Sequence, residues 1–174
     1  VKQGKKAQGT ESFENVLATL VNMDGELTIF GTHRLVYDVA GFDAVKLLEA
    51  AGKIFDIRDY PFADAAEEKV ARAELLEDLR LEGLAAPCFG VAVKGAPAHY
   101  LFLVRDRKAA AALVRDKKSE DWRSLDVNIL HAIVLEGILG VGKADLAAEN
   151  KVEYLRSADE AIERARGDGP FQAA

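Results

Sequence analysis

Three polar side chains in a row, Thr32, His33 and Arg34, lie between the apolar stretches Leu27-Thr28-Ile29-Phe30 and Leu35-Val36, just past Gly31. Arginine grips a carboxylate or phosphate through parallel N–H bonds, histidine moves a proton near neutrality, and threonine adds a hydroxyl. Polar groups at the end of an apolar strand commonly face a ligand cleft, because the scaffold is rigid there and the backbone is free. His33 is therefore a candidate catalytic group, and Thr32 and Arg34 are candidate substrate contacts. The competing reading is structural, with His33 and Arg34 tying down a loop through backbone carbonyls and a nearby acid. A second constellation runs from Trp122-Arg123-Ser124-Leu125-Asp126 to His131. Asp126 reads as a first-turn acid favoured by the helix dipole. His131, inside a very apolar run, reads either as a core or interface histidine with satisfied nitrogens or as a catalytic group. Cys88, beside Pro87, reads as a small buried hydrophobe.

Other chemistry is disfavoured. Gly137, Gly140 and Gly142 precede Lys143 but follow a helical pattern rather than a strand, so they suit a helix end better than a phosphate loop. One cysteine and three dispersed histidines offer neither a disulfide framework nor a zinc cluster, so no metal site is expected. The 174 residues are 49% hydrophobic and 30% charged, with a formal charge of -6, as in an ordinary globular domain. That charge belongs entirely to residues 1–87, while residues 88–174 are balanced. The window Arg105–Arg123 is net basic and reads as a solvated surface or as an anion site, but without interleaved aromatics nucleic acid is a distant choice. No membrane span or leader is visible and cysteine is scarce, so a cytoplasmic address is expected.

The elements that must position these groups follow from periodicity. Residues 1–12 read as a flexible segment and 13–174 as one domain. Val16–Val21 is a nearly continuous apolar run, expected to be a central strand buried on both faces, and Asp24-Gly25 turns it back into Leu27–Phe30 as a hairpin. A helix is predicted over Phe42–Ile54, with Val45, Leu48 and Ala51 inward. Phe55–Tyr60 alternates like a strand with one wet face. Asp64–Leu81 reads as a long amphipathic helix burying Val70, Leu75, Leu76 and Leu79, stopped by Gly83 and Pro87. Cys88–Val93 and Tyr100–Val104 form a second hairpin, and Lys108–Val114 a short helix. Ser124 is expected to cap a helix running to Leu139 that buries Val127, Leu130, Val134 and Ile138. Lys151–Leu155 reads as a strand, Ala158–Ala165 as a helix capped by Ser157, and Phe171–Ala174 as a strand cut short. Two hairpins in this order predict an α+β fold: a mixed, mainly antiparallel sheet with helices packed on it.

Leu20-Val21-Asn22-Met23-Asp24, then Leu27 to Val36, then Trp122 to Val127 with Ile129-Leu130-His131, resemble domain-of-unknown-function family 1015. The segment Tyr154 to Ala161 is similar to that family too. Gly31 stands where the family usually has proline, and the turn at Asp24-Gly25-Glu26 is shorter than its usual form. Family members are much longer, with an N-terminal part ending in Asp-Gly-His-His-Arg and a C-terminal Gln-Lys-Ser-Thr motif. The resemblance therefore implies a chain truncated at both ends, whose partner is its own N-terminal domain. An apolar face exposed by that loss is expected, open to self-association as a homo-oligomer. The N-terminal motif is similar to ParB-like nucleotide-binding proteins and free-serine kinases. What this implies is an ATP- and Mg²⁺-dependent small-molecule kinase acting on L-serine. This chain would be its accessory or substrate-side domain, without cofactor or activity of its own. The alternative is a non-catalytic binding or regulatory module.

Overall fold

A computed structural model describes residues 31–148 and 150–174. The segment 1–12, the Val16–Val21 strand and its hairpin to Phe30 lie outside the described residues.

Six strands form two three-stranded antiparallel sheets, one ordered β5 (Val152–Leu155), β1 (His33–Tyr37), β6 (Phe171–Ala173), the other β2 (Phe55–Pro61), β4 (Ala98–Val104), β3 (Cys88–Ala92). The two are stitched together. Ala92 and Ala174 exchange both backbone hydrogen bonds, at 2.9 and 2.8 Å, and Lys94 N–H donates to Gln172 C=O at 2.9 Å. The fold is α+β, and every pairing among the described strands is antiparallel, so the mixed element of the expectation is absent there.

Helices cover both faces. On one, α2 (Ala65–Glu82) packs Ala71 and Leu75 against Tyr60 and Leu101, and α7 (Ala158–Arg166) packs Ala165 on Leu35 and Phe171. On the other, α1 (Ala44–Ala51) joins a wide helix, Leu130–Ile138, over the Phe55, Phe89 and Phe102 rings. Phe55 stacks on Phe102 at 5.6 Å and meets Phe89 edge-on at 6.0 Å, an arrangement aromatic quadrupoles favour. Helix starts are chemically marked. The Asp43, Asp64 and Asp106 carboxylates each accept two backbone N–H bonds at the first turns of α1, α2 and α3 (Arg107–Leu113).

Several expectations change. Val45 and Val70 are exposed (63% and 59%); α1 instead buries Leu47 and Ala51, and α2 buries Ala71, Leu75 and Arg72. Strand β2 is not wet on one face, since Phe55 and Tyr60 are buried on opposite sides. Ser124 does not start the apolar helix. Ser119 caps α4 (Glu120–Arg123), Ser124 closes it with its hydroxyl donating to Asp121 C=O, and α5 (Asp126–Ile129) begins without a side-chain cap. From Leu130 the helix is of π type, as in the Leu139 N–H to Val134 C=O bond at 2.9 Å. A five-residue backbone repeat turns the inward face, so Ile129, Ile133, Val134 and Leu135 are buried, Leu130 is half-buried, and Val127 is 41% exposed. Gly140 ends it at φ +69°, in the left-handed region, and an unforeseen helix α6 (Lys143–Ala148) follows. Among the described residues no helix is long and apolar enough to cross a membrane.

Candidate functional site

Thr32 lies just outside the strand, and His33 and Arg34 do not form a loop. His33 and Arg34 are the first residues of β1, paired with Leu155 and Tyr154 on β5. Strand alternation therefore separates them. Leu35, sharing the His33 face, packs on α7, whereas Val36, sharing the Arg34 face, packs on Leu135 of the π-helix. Arg34 thus meets the second constellation, 97 residues away: its Nε donates to His131 Nε2 at 3.1 Å. A second donor, Nη1, returns to Thr32 C=O, and the guanidinium carbon lies 5.7 Å from the centre of the Tyr154 ring.

This geometry fixes protonation. An imidazole whose Nε2 accepts from arginine carries its proton on Nδ1 and is neutral. Burial, then the Arg34 charge, holds the His131 pKa below its ordinary value, and the same two causes in the same order lower His33. Burial also depresses Arg34, opposed by Tyr154. Among the described residues no carboxylate lies within salt-bridge distance of Arg34. Among the described residues its head group is therefore a half-buried cation held by one imidazole and one carbonyl. Such a group suits a carboxylate or phosphate.

Two cavities adjoin the pair. Thr32, His33, Arg34 and Asp126 line one end of a largely apolar slot of about 530 Å³. His131 lines a more polar cleft of about 710 Å³, with Arg115, Asn128, Glu136 and Lys143 on its walls. Both have the size of small-molecule sites. Of the five residues the sequence singles out, Arg34 and His131 are joined directly and Thr32 contributes its carbonyl. Asp126 borders the slot without touching the pair, and His33 faces the other way. Arg115, from the basic window, and Asn128 were not foreseen at the cleft. Only their nearness in sequence to the Trp122–His131 motif pointed to them. Cys88 is buried as expected, its thiol 3.6 Å from Leu79 C=O and its pKa raised by burial.

A family model described as "Protein of unknown function (DUF1015)" matches residues 1–128. The match takes in Thr32–Arg34 and Asp126 and stops before His131 and the Tyr154–Ala161 segment. No curated protein and no solved structure matches the chain.

Proposed function

From the premise that this chain belongs to the DUF1015 family, we propose that it is the substrate-side part of an ATP-dependent kinase for a small hydroxy-bearing acid, with L-serine the substrate the resemblance suggests. One observation carries the reading: Arg34 is a half-buried guanidinium oriented by neutral His131, with no carboxylate to neutralise it among the described residues. Arg34 holds the substrate carboxylate through its guanidinium, and His131 is a positioning residue for Arg34. His33 lies on the opposite face of β1 from Arg34 but lines the same slot, and in this reading it remains the candidate for proton transfer rather than for the carboxylate contact. Phosphoryl transfer needs a nucleotide, Mg²⁺ and exact placement of the hydroxyl. In this reading the nucleotide side is supplied by the N-terminal part that the family resemblance implies.

The test is phosphoserine formation by the whole protein from ATP, Mg²⁺ and L-serine. Arg34→Ala is expected to lower kcat/KM by about ten- to a hundredfold while the protein stays folded. Absence of phosphoserine with the wild type would leave the second reading, a non-catalytic binding or regulatory module. One observation favours that reading: a largely apolar slot of about 530 Å³ adjoins Arg34.

A further inference from the structure

The π-helix Leu130–Ile138 is a wall between two cavities. Leu130, Val134 and Leu135 face the slot beside Arg34, while His131, Ile133, Glu136 and Ile138 face the cleft of about 710 Å³. The 3.1 Å bond from Arg34 Nε to His131 Nε2 therefore crosses that wall, and it leaves the other ring nitrogen, Nδ1, as a donor. The buried side-chain atoms without a partner among the described residues are His99 Nδ1 and Arg123 Nε. His131 Nδ1 has no partner there either but is not sealed, so its N–H opens on the cleft. Asn128, three residues earlier on the same side, is locked by its amide donating to Trp122 C=O at 2.6 Å. The five-residue repeat then decides what joins them. It puts Glu136 one turn after His131 and on its side, whereas an α-helical turn would carry Glu136 well round the helix. From the other segments lining the cleft come Arg115, Asp116 and Lys143, the last two paired at 3.5 Å.

We propose that this cleft binds a free α-amino acid with an apolar side chain, its carboxylate accepting from His131 Nδ1–H with Arg115 as countercharge and its ammonium meeting Glu136. The formal charges on the wall select such a ligand. Lys143 and Asp116 satisfy each other, which leaves Arg115 and Glu136, one of each sign. A ligand with both signs and no net charge answers both, whereas a simple acid meets Glu136 as a like charge and a simple amine meets Arg115 as one. His131, neutral because its Nε2 accepts from Arg34, adds a donor for the carboxylate without upsetting that balance. The rest of the wall is apolar, with Trp122, Ile133, Ile138 and Leu146 available to a hydrocarbon side chain. The ligand lies across the π-helix from the slot, so this inference stands apart from the kinase reading.

Trp122 is the single tryptophan of the chain and lies on the cleft wall, so its emission reads occupancy directly. Titration of L-leucine into the chain should give a saturable change with a Kd of about 10 µM to 1 mM, matched by calorimetry. 4-Methylpentanoate lacks the ammonium and 3-methylbutylamine lacks the carboxylate, and each should bind about tenfold or more weakly. L-Serine should be weaker by about tenfold or more as well, for want of an apolar side chain. Glu136→Gln, at an exposed position, should weaken L-leucine by about tenfold and leave 4-methylpentanoate unweakened, a split that loss of fold cannot produce. The proposal is overturned if L-leucine changes neither Trp122 emission nor calorimetric heat, or if either truncated analogue or L-serine matches it. It is equally overturned if Glu136→Gln leaves L-leucine binding intact or weakens L-leucine and 4-methylpentanoate alike. None of these readouts uses phosphoserine formation, so failure of this site and failure of the kinase reading are seen separately.

Discussion

Arg72 and Arg34 are both drawn away from solvent, and their surroundings treat them in opposite ways. Arg72, 8% exposed, lies between α2 and α7 with three carboxylates around it: Glu68 at 3.0 Å, Glu163 at 2.9 Å and Asp159 at 3.4 Å. Glu68 in turn accepts from the fully buried His99 at 2.8 Å, and burial holds His99 neutral against the pull of that carboxylate. Nearby, Arg58 bridges Asp78 and Glu82, and the Tyr60 hydroxyl donates to Asp78, its pKa pushed up to about 12 by burial and that bond. Charge on this side of the sheet is closed upon itself. Arg34 has a histidine, a carbonyl and an aromatic ring, and no acid among the described residues. In the proposed reading, the difference separates an arginine that builds the fold from one that meets a ligand.

The largest expected effect breaks the closed side. Arg72→Ala leaves Glu68, whose side chain is 13% exposed, without its cation, and should cost about 3–5 kcal/mol in urea denaturation. Arg34→Ala should cost less than about 1 kcal/mol in the same measurement. Equal losses would erase the distinction. On the open side, the wall behind His131 depends on the π-type turn. Ile129→Ala should therefore cost about 2–5 kcal/mol, and Leu130→Ala, half-buried, clearly less. The reverse ranking would restore an ordinary α-helical face.

Smaller effects sharpen the contrast. If His131 acts by holding Arg34 in plane, His131→Gln, whose amide oxygen can still accept from Nε, should keep most of the kcat/KM that His131→Ala loses, and the loss should appear mainly in KM. A purely structural histidine would show no such rescue. The pH dependence has a fixed sign. His33, His99 and His131 all have folded pKa values below the ordinary 6.5, with burial the largest cause in each. The unfolded chain then takes up protons first as the pH drops. The stability these groups contribute is full above about pH 6.5 and shrinks as pH falls from there towards the folded values. A melting temperature that rose between pH 7 and 5.5 would contradict this.

Much of the fold was legible because its signals are local. Asp64 before an Ala/Glu/Leu-rich run, the Lys94–Ala98 turn between two apolar runs, and Ser157, whose Oγ accepts from Glu160 N–H, each mark an element within a few residues. The π-helix was not legible, since nothing in Leu130–Ile138 departs from an α-helical composition; its five-residue register is a property of packing. Arg72 carried no signal in the sequence, because its acids come from Glu68 on its own helix and from α7, nearly 90 residues on. For the site, residue type singled out Arg34 and His131, which the structure joins by a hydrogen bond. Their meeting depends on the β1–π-helix contact, and the separation of His33 from Arg34 on a strand that looked like a loop. No local pattern carries either.

The central claim is that Arg34 binds an anionic small molecule, and calorimetric titration of O-phospho-L-serine into the whole protein and its Arg34→Ala variant tests it most directly. The account predicts saturable binding to the wild type, weakened about ten- to a hundredfold by Arg34→Ala and not fully restored by Arg34→Lys, because a point charge lacks the planar fork. Equal affinity in wild type and Arg34→Ala, or no binding to the wild type, would contradict it.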